Sequence, residues 1–266
     1  MSVATLSQDG QSEHDVATRS LWDSNLLSKR PAGRGKTLPK TGDDAVIGIT
    51  LWRLRPSESS DNPGVRSLIQ EDEHTGPWTP ERIAADTPLD EGEKIRISIE
   101  TARTGYLYVI DCDEYGDGSK SDPYLIFPSL RIRGGDNHAA AGTVVEIPAS
   151  DDRPPYFKMR RSRPDQNGEL LTILVTPHPI QNLQIGRQRL RLSAEQVAFW
   201  KKEWAAASIR LEAYGQAGKP YTLAEKIAGN GDKMLTQDDP LPQTMYRVDA
   251  KPGEPLMIEL PLQISK

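Results

Sequence analysis

The chain is poor in cysteine and has no long apolar run. Cys112 is the only cysteine among 266 residues, which excludes an internal disulfide and a metal site built from several cysteines. No stretch approaches the roughly 18 apolar residues of a membrane-spanning helix, so we expect no membrane span. The first thirty residues also lack the basic start and apolar core of a signal peptide. A periplasmic or secreted location is favoured if a signal peptide has been removed, and a cytoplasmic location otherwise.

A surplus of positive charge is missing as well. The chain holds 33 Lys and Arg residues against 38 Asp and Glu residues, which gives a formal net charge of −5. A net negative chain has no general electrostatic attraction to the phosphates of nucleic acid or to an anionic membrane surface. We therefore expect neither of them as a partner.

The residues of common catalytic and cofactor motifs are scarce. The histidines lie far apart, and none has a second histidine or a cysteine at the spacing of a metal site; they are His14, His74, His138 and His178. No G-x-S-x-G motif is present. Residues 33–37 (GRGKT) imitate part of a phosphate-binding loop, but Arg30 stands where the first glycine is needed. The sequence thus predicts no zinc site, no histidine-driven triad and no cofactor.

A run of strands is the clearest positive pattern. Between residues 95 and 100 three isoleucines alternate with Arg96, Ser98 and Glu100, which is typical of a strand with one buried and one solvent-exposed face. Residues 106–111 are apolar on both faces and predict a central strand. An acidic turn follows, and then a third strand at 124–127. We interpret the three strands as a β-meander with tight connections.

Further strands surround this meander. The apolar 169–176 is expected to be central, and Pro261 indicates an edge position or a bulge for the last strand. The expected strands outside the meander lie at 46–55, 143–148, 156–160, 169–176, 243–248 and 255–264.

Three places have a helical pattern. Ser193 and Gln196 form a capping box, and the apolar spacing after it predicts a helix of roughly five to six turns. Thr222 and Glu225 repeat the capping pattern before a shorter helix. One helical turn is expected at 79–81, because a threonine and a proline open it.

These elements predict an α+β protein. Its main part is an antiparallel, Ig-like β-sandwich, expected as a single domain at 45–266 with a helical insertion at about 186–235. The polar stretch 1–44 predicts an irregular arm, which Trp22 attaches to the body.

A basic cluster near a predicted edge strand is the first candidate ligand-binding site; its members are Lys158, Arg160, Arg161 and Arg163. Such a cluster binds a phosphate, an acidic glycan or the carboxylates of a partner. The alternative is that these charges protect an edge strand from aggregation. Trp78, in a Gly-Pro-Trp sequence, is a second candidate for the same ligand surface.

Acidic residues supply the remaining candidates. The turn at 111–122 loosely imitates a calcium loop, but Tyr115 occupies a ligand position, so a solvated hairpin is the expected role and cation binding stays open. Asp151 and Asp152 form an adjacent pair beside prolines, as do residues 238 and 239. A hydrolase needs two carboxylates at a fixed separation, which the sequence does not define. Trp200 and Trp204 are four residues apart, which favours a place in the core.

Several short phrases resemble a known family. They are GYLYVI at 105–110, LIFP at 125–128, LDEGEKI at 89–95, Gly142 and Ile147-Pro148. In this order they resemble the bacterial family catalogued as domain of unknown function 4384, over about residues 85–176. The resemblance implies a β-sandwich accessory module, typically of envelope or secreted systems, and it transfers no catalytic residue.

The expected function combines these observations. We expect a non-enzymatic binding or scaffolding module of a bacterial envelope or secreted system, with another protein or an envelope polymer as its partner. The alternative is a hydrolase that cleaves an envelope polymer through loop carboxylates such as Asp151 and Asp152.

Overall fold

The fold consists of two antiparallel sheets packed around one apolar core. A computed structural model describes residues 18, 20–33, 45–70 and 75–265. The strands, in chain order, are β1 (Val46–Pro56), β2 (Ser67–Gln70), β3 (Thr75–Ile83), β4 (Lys94–Thr101), β5 (Gly105–Tyr115), β6 (Tyr124–Phe127), β7 (His138–Ala139), β8 (Val144–Ile147), β9 (Phe157–Lys158), β10 (Gln166–Thr176), β11 (Leu190–Arg191), β12 (Ser208–Glu212), β13 (Thr244–Val248) and β14 (Leu256–Gln263). The predicted α+β class with a dominant antiparallel β-sandwich is confirmed.

Each sheet combines strands from distant parts of the chain. The first sheet has the order β12-β13-β1-β3-β2, and β4 joins it beside β1 and also pairs with β8 and β9. The second has the order β11-β6-β5-β10-β14, with β7 beside β5. The inner faces of both sheets supply the main core, for example Ile47, Ile97 and Phe127. As predicted, β10 is central, and β14 with its Pro261 lies at an edge.

The predicted meander is wrong at its first connection. β4 pairs with β1 in the first sheet, whereas β5 pairs with β10 and β6 in the second. The short link at 102–104 therefore crosses from one sheet to the other. Gly105 permits this crossing, because a Cβ atom there would lie 2.5 Å from the carbonyl oxygen of Thr176. Alternation along a strand predicts its faces, but it does not say which sheet the strand joins.

The predicted solvent-exposed face of β4 is buried. Arg96 is 0% exposed, Ser98 9% and Glu100 3%. Charged and aromatic side chains from outside the sheet cover this face. Arg30 donates from Nε and Nη2 to the two carboxylate oxygens of Glu100, over 2.9 and 2.6 Å. Polar partners far away in sequence thus turn an apparent surface face into a second buried layer.

The N-terminal part packs against this layer. A π-helix at Trp22–Leu26 continues as α1 (Leu27–Lys29), and Trp22 is buried together with Met245 of β13. Arg30 lies 4.5 Å from the Trp22 ring centroid. The predicted irregular arm at 1–44 is thus helical at 22–29. The described residues exclude 1–17, 19, 34–44, 71–74 and 266, and with them His14, His74 and most of the GRGKT sequence.

The first of the two C-terminal helices is shorter than predicted. α2 (Ala194–Trp204) has the Ser193 half of the predicted capping box, since Ser193 Oγ accepts a hydrogen bond from the Gln196 amide. It ends after 11 residues, because β12 follows and pairs with β13. α3 (Leu223–Gly229) has the predicted capping box. The helical turn expected at 79–81 is wrong, because these residues pair with β1 inside β3.

A cleft between the sheets as candidate functional site

The cavity of interest lies between the two sheets at one end of the sandwich. It has a volume of about 540 Å³, and its walls come from both sheets, including Ile97 of β4 and Leu171 of β10. On β5, Leu107 and Val109 face the core, and strand periodicity puts Asp111 and Asp113 on the same face. Along β5 the space between the sheets therefore changes from apolar to acidic, and the cavity begins where the aspartates are.

Pairing of β5 with β10 brings three carboxyl groups together. Asp113 lies opposite Glu169, and Asp111 lies opposite Leu171 in the next row. Asp113 is well partnered, since Ser162 Oγ donates to Oδ2 over 2.5 Å and Gln166 Nε2 donates to Oδ1 over 3.2 Å. Oδ1 of Asp111 is buried and has no hydrogen-bond partner among the residues that the structure describes.

The surroundings raise the pKa of two of these carboxyl groups. Burial, followed by repulsion from Asp111 and Asp113, raises the pKa of Glu169. Burial, followed by repulsion from Asp113, raises the pKa of Asp111. The guanidinium of Arg189 acts in the opposite direction on both. Asp111 and Glu169, which we call the acidic floor of the cleft, thus stay protonated to a higher pH than ordinary carboxyl groups do.

Cationic side chains outnumber the acidic ones around the cleft. The seven are Arg131, Arg153, Lys158, Arg160, Arg161, Arg187 and Arg189. Several of them have structural partners. Arg153 donates to the carbonyl oxygens of Asp151 and Asp152 over 2.9 and 2.8 Å, Arg161 donates to the carbonyl oxygen of Gln166 over 2.8 Å, and Arg189 lies 3.9 Å from the ring centroid of Tyr124.

Three guanidinium groups at the cleft are exposed and unpaired. Arg131, Arg160 and Arg187 are exposed. Within the described ranges their guanidinium groups form no hydrogen bond and no ion pair. An unpaired guanidinium beside a cavity is free to bind an anionic group.

The predicted site residues fall in three places. Lys158, Arg160 and Arg161 line the cleft. Arg163 instead pairs with Asp165 over 2.8 Å and with Asp117 over 3.2 Å. Trp78 is on β3, half-buried, with the Lys94 ammonium 3.9 Å from its ring centroid. The structure thus brings three of the five predicted residues together at one cavity.

A family comparison covers most of the cleft. Residues 89–174 match the model described as Domain of unknown function (DUF4384). This segment is similar to that family. The resemblance seen in the sequence is thereby confirmed over these residues. The search of curated proteins and the search of solved structures found no match.

The DUF4384 segment and the flanking chain share the cleft. Arg131, Arg160, Asp111 and Glu169 lie within the segment, whereas Arg187 lies outside it. Among the residues that the structure describes, no helix has the length and apolarity needed to cross a membrane.

Sequence reasoning missed Glu169 and Arg131 as site residues, and it did not place Arg187 beside the predicted basic cluster. Asp111 and Asp113 drew attention only as parts of a turn, but β5 extends through both of them. The available signal was the alternation of Leu107 and Val109, which continues through these two aspartates. No comparable signal connects Arg187 with the cleft.

The other acidic candidates have local partners. Asp152 accepts hydrogen bonds from the amides of Arg133 and Ala149 through its two oxygens, which is a turn-forming role. Asp122 pairs with Arg191 over 2.6 Å. No group of three or more His, Cys, Asp or Glu residues in the described ranges is arranged to hold a metal ion. Trp200 is buried in a cluster with Val197.

A second polar cluster is completely enclosed beneath α3. Glu146 of β8 is 0% exposed, and the Tyr221 hydroxyl donates to its Oε1 over 2.7 Å. Arg96 Nη1 lies 4.0 Å from the same oxygen. Burial raises the pKa of Glu146 to about 7, although Arg96 and Tyr221 act to lower it. Arg82 pairs with Glu225 nearby, so this cluster fixes α3 to the first sheet.

Proposed function

We propose that the protein is a non-enzymatic binding or scaffolding module whose ligand occupies the cleft between the sheets. The observation that carries the proposal is a cavity of about 540 Å³ with three unpaired guanidinium groups beside it. Ligand sites typically have about 300–1,000 Å³ and combine apolar walls with a few polar groups. The cleft has this composition.

The proposed setting is a bacterial envelope or a secreted system, with another protein or an envelope polymer as partner. The match of residues 89–174 to the DUF4384 family model supports this setting, since the family resemblance implies an accessory module of such systems. Among the predicted basic residues, Arg160 supplies one of the three unpaired guanidinium groups, and Lys158 and Arg161 line the same cavity.

A hydrolase is the second candidate, and one observation favours it. Two carboxyl groups with raised pKa, Asp111 and Glu169, share the cleft, and perturbed carboxyl groups cluster at catalytic sites. The loop pair Asp151 and Asp152 is less suitable, because Asp152 forms backbone hydrogen bonds in its turn. In this candidate function, Asp111→Asn or Glu169→Gln abolishes turnover of an envelope polymer.

Retention of envelope material tests the binding function. Wild-type protein is immobilised beside a cleft variant in which Arg131, Arg160 and Arg187 are changed to Glu. A matched control changes the exposed cations Lys202, Arg247 and Lys251 to Glu, away from the cleft. Circular dichroism checks that all three proteins fold.

The expected result is a component of a bacterial envelope extract that the wild type and the control retain and the cleft variant loses. Equal retention by the cleft variant would contradict the proposal. Shortening of a polymer by the wild type, lost in Asp111→Asn, would replace it with the hydrolase.

A further inference from the structure

The balance of charge at the cleft is opposite to that of the whole chain. The chain has a formal net charge of −5, yet seven cationic side chains and three acidic ones line the cleft. A local excess of charge of one sign raises the local concentration of oppositely charged ligands. The cleft therefore favours a ligand with negative charge.

The unpaired cations are arginines, whose chemistry is selective. A guanidinium group presents parallel N–H donors that match the two oxygens of a carboxylate or a phosphate. Arg131 follows β6, Arg160 follows β9 and Arg187 precedes β11, so three separate segments direct such groups to one cavity. Protection of an edge strand does not explain this convergence, because the three residues lie outside the strands.

Apolar side chains form much of the remaining wall. Ile126 and Phe157 pack against the main core and are only partly buried, and both line the cleft. Leu262 of β14 and Ile95 of β4 also contribute to the wall. A small inorganic anion would leave these surfaces in contact with water, whereas an apolar body would bury them.

We infer that the cleft binds an organic anion, with an apolar body between the sheets and a carboxylate or phosphate group on Arg131, Arg160 and Arg187. The inference rests on the proposed binding function and specifies its ligand class. Carboxylate and phosphate share the chemistry that a guanidinium recognises, so separate probes are needed to tell them apart.

The acidic floor links this binding to protons. The carboxyl groups of Asp111 and Glu169 lie near each other. Both also lie near the charges of Asp113, on the same sheet, and of Arg189, before β11. An anion in the cleft is repelled by ionised carboxylates and not by their neutral, protonated forms, so it binds more tightly at low pH. A cationic ligand would show the opposite dependence, because it favours ionised carboxylates.

The test uses the full chain and a fluorescent probe, 8-anilinonaphthalene-1-sulfonate, which combines an anionic group with apolar rings. Competitors are octanoate, octyl phosphate, octylammonium and inorganic phosphate. We expect octanoate or octyl phosphate to displace the probe, and their relative potency identifies the preferred anionic group. Octylammonium and inorganic phosphate are expected to leave it bound.

Variants locate the site. Arg160→Glu and Arg187→Glu should each weaken probe binding by about tenfold or more, because each removes one charge-assisted interaction and adds a carboxylate that repels the probe. Lys202→Glu on α2 should leave probe binding unchanged. Probe binding by the wild type should weaken as the pH rises from about 5.5 to about 8. If a variant fails to fold, the competition series and the pH series on the wild type still test whether the cleft prefers an organic anion.

The outcomes separate this inference from the proposed function. Displacement by octylammonium, with tighter binding at high pH, would overturn the ligand class and leave the cleft as a binding site. Probe binding that is unchanged in both arginine variants would overturn the inference. It would also overturn the proposed function if those variants retain the same envelope material as the wild type.

Discussion

Replacing Glu146 by glutamine should remove a large pH dependence of stability. Glu146 is completely buried, and its pKa in the folded protein is about 7 against an ordinary 4.5. Because the folded state binds this proton more tightly than the unfolded state, the contribution to stability is complete below about pH 4.5. It is lost as the pH rises through about 7. Glutamine keeps the shape of the side chain and cannot lose a proton.

The size of the effect follows from the two pKa values. The difference between 4.5 and about 7 corresponds to about 3 kcal/mol of unfolding free energy. The stability of the wild type should therefore fall by about this amount between about pH 4.5 and 8, beyond the changes that other groups cause. Those other changes occur in both proteins and cancel when Glu146→Gln is compared with the wild type.

Urea denaturation of both proteins at several pH values between about 5 and 8 measures this difference. We expect the stability of Glu146→Gln relative to the wild type to increase steadily with pH. Parallel curves would refute the reasoning. A variant that becomes relatively less stable with rising pH would mean that an ionised Glu146 neutralises Arg96, which lies 4.0 Å away.

Two further predictions concern stability. Arg30→Ala should lower the unfolding free energy by about 3–5 kcal/mol, because it leaves the buried Glu100 carboxylate without its partner; urea denaturation measures this, and a loss below about 1 kcal/mol would contradict it. Gly105→Ala should lower the unfolding free energy by about 1–3 kcal/mol, because the new Cβ atom meets the Thr176 carbonyl oxygen. The control is Gly186→Ala, where a Cβ atom meets nothing within 4 Å. An equal loss in both variants would refute the explanation.

Local patterns in the sequence predicted most strands and both helix caps. Alternation marked β4 and β14, an apolar run marked β10, and the Ser193 and Thr222 caps are present. The length of α2 was not predictable in this way. Apolar spacing continues past Trp204, but pairing of β12 with β13 is a contact across the fold, and it prevails over local helical preference.

The buried face of β4 and the cleft depended on contacts that the sequence does not reveal. Arg96, Ser98 and Glu100 have the composition of an exposed face, and their covering partners include Arg30, 70 residues before Glu100. Asp111 and Glu169 come together through the register of β5 with β10. The sequence predicted three of the cleft cations, Lys158, Arg160 and Arg161. The pair of carboxyl groups became visible only with the pairing of the strands.

The crossing between β4 and β5 bears on the smallest part of the chain that can fold. Residues 89–174 contain both strands, but β4 has its long partner in β1 and β10 has one in β14. Both partners lie outside the DUF4384 segment. Cut out on its own, the segment would leave the long edges of β4 and β10 unpaired, and such edges are templates for aggregation. The stretch that identifies the family is therefore shorter than the cooperative folding unit, which needs strands from both flanks to close its two sheets.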